Sequence, residues 1–373
     1  MQLYQIMRWF KRNLYSISLP HRKMLATFVY GLLNSKRIGV ASIGRGMKTK
    51  TTARYNIKRV ARYLANDKID IDKSMLKLQK LLCNGASRLL ISIDWTLITN
   101  YGYQVLKATV VGQGRGIPIY FKTYKEGKIK NKQTSYEKDL IDKLKSILPD
   151  NIEVVIIADR GFGMKVELAK YIETAGYYYV LRTKKDYSIV YKQYNGKLKD
   201  LKLKMNKIYD YKDVLWPGLN NKSNLEKKKR FKSRFVITKK KGCKEEWILV
   251  TNLYELSSEI IVKIYYQRMT IEETFKDQKN VLRGFALEKM KLSSANRYDK
   301  MFLIISYAYL LIMLFGLFME QQNKHREMMA NTVAYRSLSL FQVGLYYYKD
   351  FDISIPKLLS LIQLLIVCEK KWE

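Results

Sequence analysis

Three acidic residues, Asp94, Asp159 and Glu272, stand in three local settings that point to one chemistry. Asp94 ends the apolar run Leu89-Leu90-Ile91-Ser92-Ile93, and Asp159 ends a second, Val154-Val155-Ile156-Ile157-Ala158. Glu272 lies in a long helical pattern that begins near Ser258. Carboxylates at the tips of two strands and on a later helix can converge on two hard divalent cations. Such a pair activates an attacking oxygen and stabilises a leaving one in phosphodiester chemistry. The chain carries 69 Lys+Arg against 33 Asp+Glu, a formal net charge of +36, so the phosphodiester expected is nucleic acid.

A lysine-rich composition as such would give the same total, but the basic residues cluster. The 373 residues suffice for two or three domains, and 47% hydrophobic content is ample for packed cores. Cys83, Cys243 and Cys368 show no paired spacing, and the histidines are His21 and His325. That excludes a recognisable zinc motif or disulfide framework. Any metal is therefore expected on carboxylates, as Mg²⁺ with Mn²⁺ able to substitute. A reducing cytoplasm fits this cysteine usage, and the start Met-Gln-Leu-Tyr-Gln-Ile-Met-Arg lacks the apolar core of a signal peptide. Met301–Met319 is long and apolar enough to span a bilayer. A helix apolar all round also suits a buried core position, the reading preferred here because the Glu272 helix needs an apolar partner.

The elements that must position these carboxylates are legible as an α/β chain. Residues 1–80 read as a helical, basic DNA-binding region. Arg54, Lys58 and Arg62 recur every four residues as a basic stripe, with Ile57, Ala61 and Leu64 as an apolar stripe and Lys48-Thr49-Lys50-Thr51-Thr52 as a source of capping hydroxyls. A solvated amphipathic helix would show the same pattern. Residues 85–182 predict strands over Leu89–Asp94, Tyr103–Val111 and Ile117–Thr123, a helix over Ser135–Leu148, a strand over Val154–Ala158, a helix over Met164–Thr174 and a strand over Tyr177–Arg182. Gly112-Gln113-Gly114-Arg115-Gly116 reads as a hairpin turn. This is the ribonuclease-H-like order of elements. Residues 183–255 read as a mostly β insertion with basic loops at Lys227-Lys228-Lys229-Arg230 and Lys239-Lys240-Lys241. Residues 256–322 return to the core with the Glu272 helix, and 323–373 form a helical C-terminal region.

The run from Tyr265 to Lys279 sharpens the assignment. At about 100° per residue from Tyr265, Arg268 falls near −60°, Glu272 near −20° and Lys279 near −40°, whereas Glu273 falls near +80°. Tyrosine, arginine, glutamate and lysine thus share a stripe, bordered by Ile264, Ile271 and Phe275. Ordinary surface charge pairs such as Arg268–Glu272 are the alternative. A ligand role for Glu272 follows from the two upstream aspartates.

The spacing Tyr265-x2-Arg268-x3-Glu272-x6-Lys279 resembles the Y-R-E-K motif of bacterial DDE transposases of the insertion-sequence-four type. Asp94-Trp95-Thr96 resembles that family's first-aspartate motif, Asp159-Arg160-Gly161-Phe162 its second, and Trp247-Ile248-Leu249-Val250-Thr251 the strand leading to its third. The resemblance covers roughly residues 45 to 320, with Met269 standing where some relatives carry a second tryptophan. It implies cut-and-paste DNA transposition, with Asp94, Asp159 and Glu272 holding two Mg²⁺ ions. A freed 3′-hydroxyl would attack the opposite strand to form a hairpin and, after opening, the target. Tyr265, Arg268 and Lys279 would grip flanking phosphates, and Trp247 would stack on a flipped base or pack in the core. The implied partners are terminal inverted repeats, target DNA and a second copy of the chain, with the nucleoid of a bacterial cytoplasm as location. A structure-specific DNA nuclease without strand transfer, a DNA-binding relic without activity, and a membrane protein anchored through Met301–Met319 are the other readings.

Overall fold

A computed structural model of the chain describes residues 2–99, 101–163, 166–216, 230–239, 245–333, 336–350 and 352–366. Lys227–Lys229, Lys240, Lys241, Cys243, Met164 and Cys368, all singled out above, lie outside the described residues.

The fold is mixed α/β. Ten strands form one mixed sheet in the order β3-β2-β1-β4-β5-β10-β9-β8-β6-β7. They are β1 (Arg88–Thr99), β2 (Tyr103–Val111), β3 (Gly116–Lys125), β4 (Glu153–Ala158), β5 (Tyr178–Arg182), β6 (Ser188–Tyr191), β7 (Tyr194–Lys197), β8 (Ile208–Trp216), β9 (Phe231–Thr238) and β10 (Trp247–Thr251). The sequence order through β5, with a helix α6 (Gln133–Ile147) before β4 and α7 (Arg160–Gly163) and α8 (Val166–Thr174) after it, is compatible with the ribonuclease-H-like expectation. Strands β4 and β5 are parallel, as are β1 and β4, and their near-continuous apolar runs are buried. That is the pattern of a strand covered on both faces. Described residues of 183–255 supply β6–β10, joined by antiparallel pairing.

The chain forms two compact units. The first gathers Met1–Ala86, Trp95–Lys130 and Thr270–Val367; the second gathers, among the described residues, Ser87–Asp94 and Asn131–Met269. Strand β1 runs from one into the other.

The first unit is built on the helix Ala295–Gln321. Among the described residues it alone is long and apolar enough to cross a membrane, and 94% of its most apolar window is buried inside the protein. Its neighbours are β3, α2 (Leu19–Ser35), α4 (Ala53–Ala65), α5 (Ile71–Cys83) and the helix Leu340–Tyr347. At the last crossing Gly316 lies against the Leu340 carbonyl and Gly344 against the Ile312 carbonyl, with no room for a Cβ on either. A Gly344→Val protein should therefore lose about 3 kcal/mol or more of stability through forced separation of the two helices. A thermal midpoint equal to the parent's would refute that close approach. Leu358, Ile362 and Leu365 of the apolar C-terminal stretch are core residues too.

Four expectations need correction. Strand β1 does not stop at Asp94 but runs on to Thr99, because Trp95-Thr96-Leu97-Ile98-Thr99 is itself strand-favouring. The pattern from Ser258 is two helices, Ser258–Tyr266 and Met269–Lys279, interrupted at Gln267-Arg268. There the amides of Gln267 and Arg268 turn back to the carbonyls of Ile264 and Tyr265. A single wheel from Tyr265 to Lys279 therefore does not hold, although Glu272 and Lys279 still share one face of the second helix. In α4 the buried face is Asn56, Val60, Tyr63 and Leu64, while Ala61 is exposed. Finally, Thr52 makes no side-chain cap; the hydroxyls of Thr49 and Thr51 donate instead to Asn56 Oδ1, each at 2.9 Å.

Candidate active site

Asp94 and Asp159 are positioned by strand register. The parallel pairing of β1 with β4 ends at Ile93↔Ala158, so Asp94 and Asp159 each follow the last paired residue of two adjacent strands. Neighbouring strands run about 4.8 Å apart, and equivalent positions in a parallel pair turn to one face. Both residues are half-buried. Asp159 is the single residue between β4 and α7, where the chain leaves the sheet.

A short relay of contacts holds Asp159. Tyr265, the penultimate residue of the helix Ser258–Tyr266, is 2% exposed, and its hydroxyl donates to Asp159 Oδ1 at 3.3 Å. Burial, foremost, raises the phenol above its ordinary range, so it stays protonated and acts as a donor. The Trp247 ring stands edge-on to Tyr265 at 4.9 Å and tilted to the exposed Tyr266 at 6.4 Å. Arg268 is buried in the interrupting turn, with its guanidinium 5.8 Å from the Tyr265 ring. The second unit thus brings together Asp159, Tyr265, Arg268 and Trp247, and Asp94 follows the segment of β1 paired with β4.

Glu272 and Lys279 belong to the first unit. Glu272 is half-buried in the first turn of Met269–Lys279, and Lys279 Nζ donates to Thr96 Oγ1 at 2.6 Å. Glu273 is held elsewhere, by Arg115 at 3.7 Å and Lys276 at 2.5 Å. The bordering Ile264, Ile271 and Phe275 are buried as the sequence implied. Polar contacts fix this helix to the β2–β3 hairpin, among them Arg115 Nε donating to Asp277 Oδ2 at 2.6 Å, Gly116 N to Thr274 Oγ1 at 2.8 Å, and Lys107 Nζ to Gln278 Oε1 at 2.5 Å. Sequence reasoning missed Arg115, Asp277, Lys107 and Gln278; a lone lysine inside the apolar strand Tyr103–Val111 was the available signal for Lys107.

Arg54, Lys58 and Arg62 are all exposed, four residues apart along α4.

Among the described residues, no group of three or more His, Cys, Asp or Glu side chains is placed to hold one metal ion. The donor set still suits a hard cation. Mg²⁺ is usually bound through one or two carboxylates, with waters and substrate phosphates completing its shell. Asp94 and Asp159, each one residue past the last β1–β4 pair, are two carboxylates of that kind.

No curated protein matches the chain. Residues 85–311 match the family model described as the transposase DDE domain, a span that contains Asp94, Asp159, Trp247, Tyr265, Arg268, Glu272 and Lys279. The match covers more than half of the chain, which therefore belongs to the DDE transposase family: nucleic-acid-cleaving enzymes that act on DNA.

Proposed function

We propose that this protein is a cut-and-paste DNA transposase of the insertion-sequence-four type, with Asp94, Asp159 and Glu272 as its catalytic carboxylates. The observation that supports the reading is the register of β1 and β4, whose last pair, Ile93↔Ala158, immediately precedes Asp94 and Asp159 within the family-matched span. Two divalent cations bound there, Mg²⁺ or Mn²⁺, would supply Lewis-acid activation of the attacking and leaving oxygens.

The rest is work for the chain's own groups. Tyr265 orients Asp159 by donating to Oδ1. Arg268 and Lys279 take phosphates flanking the cut by charge-assisted hydrogen bonds. Trp247 stacks on a base released from the strained terminal pair. The α4 cations neutralise phosphates further along the element's end. Cutting both ends together calls for a second copy of the chain.

The test is incubation of purified protein with a labelled terminal repeat, a target plasmid and Mg²⁺. Cleaved ends joined to the plasmid are expected, and none with chelator present. Cleavage without joining would replace the proposal with a structure-specific nuclease, and binding without cleavage would replace it with a relic.

A further inference from the structure

Arg160, the residue after Asp159, lines a cavity of about 390 Å³ with Arg182, Lys184, Lys185, Asp186 and Glu245. The sheet builds this cavity within the second unit. Strand β5 ends at Arg182, β10 begins just after Glu245-Glu246, and the two strands pair antiparallel with Leu249 opposite Arg182. Across it Glu245 bridges two guanidinium groups. Arg160 Nη1 donates to both carboxylate oxygens, at 3.3 and 3.1 Å, and Arg182 Nη2 donates to Oε2 at 2.8 Å. Arg160, foremost, and Arg182 hold the Glu245 carboxyl below its ordinary range.

The Arg160 arm of this bridge is a poor candidate for a structural brace. The Arg160 and Glu245 side chains are 47% and 55% exposed, and ion pairs so solvated add little to folding, whereas Arg182 is 16% exposed. A carboxylate between two guanidinium forks does, however, offer what a phosphodiester offers: two oxygens carrying one negative charge. Elsewhere on a protein of formal charge +36, DNA displaces small mobile anions and cations and gains their mixing entropy. At this cavity it must displace an anion tethered to the chain, which is not released.

We propose that Glu245 is a tethered counter-anion that competes with a DNA phosphodiester for Arg160 and Arg182, and so lowers affinity for DNA that does not press a phosphate into this cavity. The proposal rests on the transposase reading. It makes Glu245 a discriminating residue: DNA held for reaction beside Asp159 expels it, and DNA bound in passing does not.

The experiment is fluorescence anisotropy of the full chain with a short labelled duplex of arbitrary sequence, without divalent cation, over a series of NaCl concentrations. Glu245→Gln should bind about threefold tighter or more, with a salt slope steeper by roughly one. Asp150→Asn removes the same charge at a site 89% exposed and outside the cavity, and should stay near the parent. Arg182→Gln added to Glu245→Gln should abolish the gain. If Glu245→Gln binds no tighter than Asp150→Asn, the counter-anion role is wrong while the transposase reading stands. If the parent fails to bind duplex DNA even at low salt, both are wrong.

Discussion

Asp94→Ala and Asp159→Ala proteins are expected to bind a labelled terminal repeat as the parent does, and to nick it at least about 10³-fold more slowly. The size follows from the several kilocalories per mole that Lewis-acid catalysis supplies to phosphodiester cleavage. Binding should survive because the phosphate contacts come from cations, and removing a carboxylate beside a phosphate relieves repulsion. Glu272→Ala is predicted to behave the same way, and Glu273→Ala provides its control. Glu273 is occupied by Arg115 and Lys276, so its loss should leave nicking within a few-fold of the parent. Nicking by Asp94→Ala or Asp159→Ala at the parental rate would remove that residue from the site. Loss of nicking in Glu273→Ala but not in Glu272→Ala would move the third carboxylate by one position.

The two strands that lead to Asp94 and Asp159 were readable in advance because each is a local pattern. Leu89–Ile93 and Val154–Ala158 are unbroken apolar runs that end in acid, and two such runs flanking a helix pair in parallel. The hairpin was equally plain: Gly114 takes φ +74°, a conformation glycine adopts without strain. The break at Gln267-Arg268 was not, since both residue types suit a helix and the apolar spacing continues across it. Local signals also misplaced the buried face of α4: Ala61 is apolar enough for a core, but the buried residues are Asn56, Val60, Tyr63 and Leu64, with the Tyr63 ring 5.0 Å from Phe28. Pairings such as Arg115–Asp277 or Arg160–Glu245 join residues 162 and 85 positions apart, and nothing in periodicity reports them.

The Arg115–Asp277 pair carries a large, pH-dependent stability effect in the first unit. Asp277 is 6% exposed; besides the Arg115 Nε bond it accepts from Tyr309 Oη at 2.8 Å, and Arg115 Nη2 lies 3.4 Å from its second oxygen. Burial raises the Asp277 carboxyl above its ordinary range, and Arg115 opposes that rise. Arg115→Ala takes away the opposing charge and leaves a carboxylate desolvated with one neutral donor, a loss of about 3 kcal/mol near neutral pH. The sign with pH is fixed by linkage. A carboxyl whose folded pKa lies above its unfolded one stabilises the protein below the unfolded value and loses that contribution as pH rises through the folded value. Arg115→Ala raises the folded value further, so its deficit in urea midpoint should be smallest near pH 4 and widen toward neutrality. Asp277→Asn, which needs no counter-charge, should lose less at neutral pH and show no such widening. Because Glu272 and Lys279 lie on the helix that Asp277 anchors, Arg115→Ala should also slow nicking, and Asp277→Asn should slow it less. A deficit for Arg115→Ala that is flat from pH 4 to pH 8 would mean that Asp277 is protonated throughout and that the ion pair does not hold this helix.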